Sequence, residues 1–177
     1  HTVGPMKAAA LFARRLGKLG LLPQVARIEA KLYGSLGATG KGHGTDRAVI
    51  LGLAGEKPQT MDPDRVDDVL RQMAERGSVA IGEDFAVAFN PARDVIFDFG
   101  PALKGHANGM VFRILDDDNN TLLQETYFSI GGGFVQTEAE RAESVAASKT
   151  EKPPGALMMA SSSLAFPVNT SCSVILG

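Results

Sequence analysis

The sequence has little of several residue types, and each shortage excludes a class of protein. Its 177 residues include one cysteine, which rules out a disulfide framework within the chain and any zinc or iron–sulfur site built from its own cysteines. The formal net charge of −2 argues against a general nucleic-acid-binding protein, which is normally basic. No apolar run approaches the roughly 20 residues that span a bilayer. We therefore expect one cytoplasmic domain with neither nucleic acid nor membrane as its partner.

What the sequence does contain is a glycine-rich segment, Tyr33–Asp46, between a strand-like run and an apolar, helix-like run. Glycine lets backbone N–H groups approach a ligand closely, and a helix that begins in the segment points its free N–H groups into it. The segment also carries Lys41, His43 and Asp46. These features predict a site for a small anion, a carboxylate or a phosphate. The alternative is a tight connection in which the glycines only form the turn.

The segment does not have the Walker A pattern of a nucleotide triphosphatase. That pattern places four residues between its two glycines and a Ser or Thr after the lysine, where the hydroxyl holds Mg²⁺. Here Gly34 and Gly40 are one residue too far apart, and Gly42 follows Lys41. Both departures exclude this enzyme class.

Apolar periodicity and helix-end residues predict the elements around the segment. Pro5 fits a first helical turn, Thr45 fits a helix N-cap, and Asp62 before a proline fits a cap and first turn. Alternating apolar and charged residues indicate a half-buried strand ahead of the segment. The predicted elements are a helix from Pro5 closed by Gly17 and Gly20, a strand from Gln24 to Tyr33, and helices from Asp46 to Leu53 and from Asp62 to Gly77.

The second half of the chain is predicted to be rich in strands. From Glu138 onward Ala, Ser, Thr, Pro and Glu dominate, which indicates a helix-like stretch and then a linker or frayed tail. We therefore divide the chain into a domain at residues 1–138 and a stretch at residues 139–177, where Cys172 is expected to be an idle thiol. The predicted strands are at 85–89, 95–99, 110–115 and 121–130, with residues 116–120 as a hairpin turn.

Four motifs occur in a fixed order along the chain. They are His1-Thr2-Val3-Gly4-Pro5-Met6-Lys7-Ala8, the glycine-rich segment, His106-Ala107-Asn108-Gly109-Met110, and Tyr127-Phe128-Ser129-Ile130-Gly131-Gly132-Gly133-Phe134. In this order they closely resemble the β domain of the iron–sulfur-dependent L-serine dehydratases, which are L-serine ammonia-lyases. The resemblance covers roughly residues 1–138.

The resemblance implies a fold and an activity. The fold is α+β, a mixed sheet with helices packed on one face, similar to the allosteric substrate-binding domain of D-3-phosphoglycerate dehydrogenase. The activity is deamination of L-serine to pyruvate and ammonia, with a [4Fe–4S] cluster as Lewis acid on the substrate hydroxyl. The cluster belongs to a separate α domain, so this chain would hold no metal and would work only with that partner, in an enzyme expected to be a homo-oligomer.

The resemblance also implies site residues. His1 is the candidate acid/base group, and Thr2 and Gly4 would face the substrate carboxylate at the start of the first helix. The other implied substrate-binding residues are Lys41, His43, Thr45 and Asp46 around the glycine-rich segment and His106, Asn108 and Gly109 in the third motif. Glycines 131–133 would allow a close backbone approach. Each of these residues also has a structural explanation, as a hydrogen-bonded histidine, a turn asparagine or a glycine at a bend.

Three departures from the family pattern keep a second function open. The two serines that precede the family histidine are missing, Ala107 stands where an acidic residue is usual, and the last forty or so residues do not resemble the passage into the α domain. The alternative function is a non-catalytic regulatory module that binds serine or another small anion. Such a module needs only the glycine-rich segment and the helix N-termini, whereas the enzyme needs His1 at an interface with the cluster-bearing partner.

Overall fold

Within residues 1–150, which the computed structural model describes, seven strands form one mixed sheet. They are β1 (Arg27–Leu32), β2 (Ser78–Ile81), β3 (Phe85–Ala88), β4 (Val95–Phe97), β5 (Gly109–Leu115), β6 (Thr121–Gly131) and β7 (Phe134–Thr137). The strand order is β2-β3-β1-β5-β6-β7, and β4 also pairs with β1. β1 runs parallel to β3 and β4 but antiparallel to β5. The predicted α+β class is confirmed, and the likeness to the phosphoglycerate dehydrogenase domain stays a prediction.

The described helices mostly begin and end where the sequence indicates. Asp62 caps its helix by accepting a hydrogen bond from the Asp64 backbone N–H, and Gly77 ends that helix in the left-handed region. Among the described helices, none is long and apolar enough to cross a membrane. The helices are α1 (Val3–Leu19), α2 (Gly34–Thr39), α3 (Thr45–Leu53), α4 (Pro63–Arg76), α5 (Pro91–Asp94) and α6 (Glu138–Thr150).

α1 packs across the sheet through its apolar stripe. Phe12 is fully buried, stacks on Phe112 of β5 with ring centroids 5.2 Å apart, and meets Tyr127 of β6 edge-on at 6.5 Å. Such aromatic pairs add to the stabilisation from the apolar area they bury. The Tyr127 hydroxyl donates to Glu125 at 2.7 Å, and burial together with that carboxylate raises the pKa of Tyr127. The main core therefore lies between the sheet and the helices α1 and α3.

The opposite face of β1 carries charged side chains, as its alternation predicts. Glu29 accepts a hydrogen bond from Arg113 of β5 and lies 3.6 Å from Arg27. Lys31 Nζ lies 2.9 Å from Asp98 Oδ2, and this contact raises the pKa of Lys31 and holds the pKa of Asp98 below its usual range. The alternate residues of β1 enter the core, so the prediction of a half-buried strand is confirmed.

The glycine-rich segment is not an open loop, which corrects the sequence interpretation. It forms the short helix α2 and then a 3₁₀ turn at Lys41–His43. Thr45 is not the N-cap of α3, since Gly44, at φ 69°, occupies that position. Glycine tolerates this backbone conformation, which frees the Thr45 hydroxyl for a different partner.

Other differences lie at short elements. β2, β7 and the four-residue helix α5 were not predicted, whereas the equally short β3 was predicted as a strand. A run of four residues is therefore an unreliable guide to secondary structure. β4 ends at Phe97, two residues earlier than predicted. α6 begins at Glu138, at the start of the stretch that the sequence interpretation described as helix-like. The predicted tail and Cys172 lie outside the described residues.

Candidate functional site

His1 is held at the start of α1 by three contacts. Its Nε2 lies 3.0 Å from Ser35 Oγ in α2. Its backbone carbonyl accepts a hydrogen bond from Thr45 Oγ1 at 2.8 Å. Its ring stacks on the ring of His43, with centroids 4.9 Å apart and planes 19° apart. The structure thus brings the first motif and the glycine-rich segment together around one imidazole.

The remaining residues of the glycine-rich segment have different roles. Thr45 is fully buried, so it anchors the His1 backbone rather than facing solvent. Asp46 accepts a hydrogen bond from the Arg47 backbone N–H in the first turn of α3, where a carboxylate suits the helix dipole. Lys41 is exposed, and within residues 1–150 its side chain has no hydrogen-bond or ion-pair partner. Of these predicted residues, only His43 and Thr45 contact His1.

The third motif lies against α2 through backbone contacts. The Ser35 N–H donates to the Ala107 carbonyl at 2.9 Å, and the Tyr33 N–H donates to the Gly109 carbonyl at 2.9 Å. Gly34 has φ 58°, and a Cβ there would lie 2.2 Å from the Ala107 oxygen. Because Ala107 contributes its carbonyl to this contact, the missing acidic side chain does not affect it.

The side chains of the third motif are turned to local partners. His106 Nδ1 accepts a hydrogen bond from the Asn108 backbone N–H at 3.0 Å, so the neutral ring carries its proton on Nε2. Asn108 Oδ1 is buried and has no hydrogen-bond partner within residues 1–150. Gly109 is buried in β5, where the absence of a side chain leaves room for Leu103.

The start of α1 rests on the fourth motif. A Cβ on the buried Gly4 would lie 2.0 Å from Ser129 Oγ of β6, so only glycine allows this approach. A Cβ on Gly133, in the turn between β6 and β7, would lie 2.9 Å from Val3 Cγ1. The Thr2 side chain does not cap α1, so it does not pair with the N–H groups of the first turn.

An apolar groove of about 500 Å³ adjoins His43 and Thr2. It lies between α1, α3 and α4, and its lining includes Met6, Leu51, Met61 and Val66. α4 has a strongly amphipathic sequence, yet none of its residues is fully buried. Among residues 1–150, the apolar stripe of α4 is therefore only partly covered.

The described residues do not provide a metal centre. Within residues 1–150, no three His, Cys, Asp or Glu side chains lie close enough together to hold a metal ion. The chain has one cysteine, whereas an iron–sulfur cluster takes four ligands, mostly cysteine thiolates. A single cysteine therefore does not fit the ligand set of a [4Fe–4S] cluster.

Two residues that lie against the first motif were missed by the sequence interpretation, Ser35 beside His1 and Ser129 beside Gly4. Ser35 lies inside the glycine-rich segment, but serine is common in turns and nothing in its spacing marks it as a partner of His1. Ser129 lies in the fourth motif and is 8% exposed. The contacts His1–Ser35 and Gly4–Ser129 each join positions far apart in the sequence. The only sequence signal for either serine was its position inside one of the four motifs.

Comparison with known proteins agrees with the order of the motifs. A family model described as serine dehydratase beta chain matches residues 1–140. L-serine dehydratase of Streptomyces coelicolor is 46% identical over 138 residues, which are 78% of this chain and 30% of that protein. L-serine dehydratase 1 of Escherichia coli is 42% identical over 139 residues, with coverage of 78% and 30%. L-serine dehydratase of Helicobacter pylori is 39% identical over 140 residues, with coverage of 79% and 30%. The chain thus spans about 30% of the length of these relatives.

Proposed function

The chain belongs to the serine dehydratase beta chain family, and we propose that it is the β part of an L-serine ammonia-lyase. In this proposal L-serine loses its Cα proton and its hydroxyl group as water, and the resulting aminoacrylate is hydrolysed to pyruvate and ammonia. The relatives are named L-serine dehydratases, which supports the substrate and the reaction class. A cytoplasmic location and a homo-oligomeric assembly are proposed from the sequence.

The main support for the proposal is the group of residues that surrounds His1, namely Ser35, His43 and Thr45. A proton on Cα of serine is weakly acidic, so its removal needs a base held in place beside it. His1 has that chemistry, and Ser35, His43 and Thr45 hold its ring and backbone. The uncapped start of α1 directly follows His1 and offers N–H groups to the substrate carboxylate. We assign the acid/base role to His1 and a carboxylate-binding role to Thr2 and the first turn of α1.

The iron–sulfur cluster is assigned to a part of the enzyme outside this chain. The family resemblance implies the iron–sulfur cluster. This chain has too few cysteines to bind it, and residues 1–150 contain no other group of side chains that could hold a metal ion. The matched residues make up 30% of the relatives, so most of the relatives' length lies elsewhere. We define the complementary segment as the part of the Streptomyces coelicolor relative outside its matched region.

The apolar groove is the proposed contact surface for this complementary part. It begins at Thr2 and His43, the neighbours of His1, and the partly covered α4 forms its far wall. A domain that completes the site must approach His1, so it would cover the groove at the same time. Apolar side chains in such a position commonly dominate binding.

Replacing Met61 with glutamate is expected to weaken this association. A carboxylate at this position would lose its hydration among the apolar side chains of the groove when the segment binds, and we expect affinity for the complementary segment to fall roughly 30-fold or more. Isothermal titration of the chain with that segment measures the effect. Leu19→Glu is the matched control, because Leu19 is 49% exposed at the other end of α1. Equal loss in both variants, or no loss in Met61→Glu, would contradict the assignment of the groove.

The experiment that tests the function is anaerobic release of pyruvate from L-serine. The chain is assayed alone and after co-expression with the complementary segment, in both cases after iron–sulfur reconstitution. Turnover only in the mixture is the expected result. Absence of turnover in the mixture, with L-serine still raising the Tm of the chain, would favour a binding module instead.

A serine-binding regulatory module is the second candidate, and Asn108 favours it. Its buried Oδ1 lacks a partner within residues 1–150, and an unpaired buried acceptor costs free energy unless a ligand donates to it. The ammonium group of serine is such a donor.

Asn108→Ala is therefore expected to lower the affinity of the isolated chain for L-serine by about tenfold, the loss typical of one hydrogen bond to a charged group. Titration calorimetry with L-serine measures the change, and Asn119→Ala in an exposed turn is the control. If the chain binds L-serine equally well with and without the Asn108 amide, this role is excluded.

A further inference from the structure

The hydroxyl of Ser35 makes a contact that its local structure does not require. Ser35 is the second residue of α2, whose N-cap is Tyr33, so the hydroxyl is not used as a helix cap. Its Oγ instead lies 3.0 Å from His1 Nε2, across 34 positions of sequence. A side chain placed this way acts on His1 rather than on its own helix.

The position of Ser35 is fixed by its own backbone. Its N–H donates to the Ala107 carbonyl at 2.9 Å, and its carbonyl accepts a hydrogen bond from Thr39 Oγ1 at 2.8 Å. Gly34 packs directly against Ala107. The hydroxyl is thus attached to a short, anchored helix, which is a firm support for a hydrogen bond.

The His1 ring has one nitrogen in this contact and one outside it. Nε2 faces Ser35, the ring plane lies on His43, and the backbone carbonyl is bonded to the buried Thr45. Within residues 1–150, Nδ1 has no hydrogen-bond partner. A histidine that uses one nitrogen for support leaves the other for chemistry. A hydroxyl can either accept from Nε2–H or donate to Nε2, so the tautomer follows from the base role of Nδ1, which needs a free lone pair, and not from the contact alone.

We propose that Ser35 is a positioning residue that holds the His1 imidazole with its proton on Nε2, donated to Ser35 Oγ, and with Nδ1 as the nitrogen that exchanges protons with the substrate. The inference rests on the acid/base role proposed above for His1. In that role the lone pair of Nδ1 takes the Cα proton, and the ring becomes an imidazolium with both nitrogens protonated. Ser35 keeps its hydrogen bond in both states, because its oxygen accepts from Nε2 throughout.

The tautomer can be read directly in the full chain without any assay of activity. The protein has three histidines, so a long-range ¹H–¹⁵N spectrum of histidine-labelled protein above pH 8 contains few signals. We expect the His1 Nε2 signal at the position of a protonated nitrogen and Nδ1 at that of an unprotonated one. In Ser35→Ala both signals are expected to move toward each other as the two tautomers mix. His106, whose Nδ1 is fixed by the Asn108 N–H, is the internal reference and should not move.

Two further variants separate the hydroxyl from the side-chain volume. Ser35→Thr keeps the hydroxyl and is expected to keep the wild-type spectrum. Ser148→Ala removes a hydroxyl from α6, where it donates to the Val145 carbonyl, and is the matched control. A His1 spectrum that is unchanged in Ser35→Ala, or a wild-type spectrum with the proton on Nδ1, would overturn the proposal.

Kinetics of the mixture with the complementary segment provide the second measurement. A disordered base loses part of the roughly 10²–10⁴-fold contribution of general acid–base catalysis, so we expect kcat of Ser35→Ala to fall about tenfold with little change in KM. Ser35→Thr should recover most of this loss. If the wild-type mixture shows no turnover, the proposed function fails. The spectrum still shows whether Ser35 holds the His1 proton on Nε2, so this part of the proposal is tested separately. If turnover is present and Ser35→Ala retains full kcat, only the positioning role fails.

Discussion

The enzyme assembled with His1→Ala is expected to lose about 10²–10⁴-fold in kcat, the range that general acid–base catalysis contributes. His1 is exposed, and within residues 1–150 its ring has one hydrogen-bond partner, Ser35, and one stacking partner, His43. Its backbone bond to Thr45 does not depend on the side chain. The fold should therefore be retained, and the Tm of the isolated chain should change little.

The comparison is made on pyruvate release at saturating L-serine, with the melting curve of each variant as the check on folding. Lys18→Ala is the control, because Lys18 lies in the last turn of α1, far from His1. His43→Ala is expected to be intermediate, since it removes the stacking partner but not the acid/base group. Wild-type turnover in His1→Ala would show that the imidazole has no catalytic role.

Gly34→Ala is expected to destabilise the chain by about 2–5 kcal/mol, although it adds a single methyl group. The φ of 58° costs an L-residue roughly 1–2 kcal/mol, and moving a neighbour out of a close contact costs a further 1–3 kcal/mol. The neighbour is the Ala107 carbonyl, 2.2 Å from the new Cβ, and a backbone group cannot rotate aside. The same displacement would pull Ser35 from Ala107 and so loosen the support of His1.

Urea denaturation of the two chains measures the difference in free energy of unfolding. Gly42→Ala is a matched control in the same segment, because a Cβ there has open space around it. That substitution is expected to be neutral or to stabilise by about 0.5 kcal/mol through the unfolded state. If Gly34→Ala and Gly42→Ala unfold at the same urea concentration, the glycine at position 34 is not required by the contact with Ala107.

The chain's stronger patterns were sufficient to predict much of the fold. The alternation in β1 predicted which residues enter the core and which lie on the opposite, charged face, and Asp62 with Gly77 predicted both ends of α4. These predictions succeeded because they depend on local rules of burial and helix capping. β2, β7 and α5 were missed although the equally short β3 was predicted, because in so short an element the sheet and core neighbours contribute as much to the structure as the local pattern.

The motifs predicted the family, and the resemblance implied His1, His43 and Thr45 as site residues, which the structure places in contact with one another through His1. The tertiary structure decided how those residues are used. It made Thr45 an anchor of the His1 backbone instead of a helix cap, gave Gly4 and Gly109 packing positions, and placed Ser35 on the imidazole. Each of these contacts joins residues that are distant in sequence, and their distances follow from how α1, α2 and the strands pack together. Residue types and spacing determine which chemistry is present, whereas the packing of the chain determines which atoms meet.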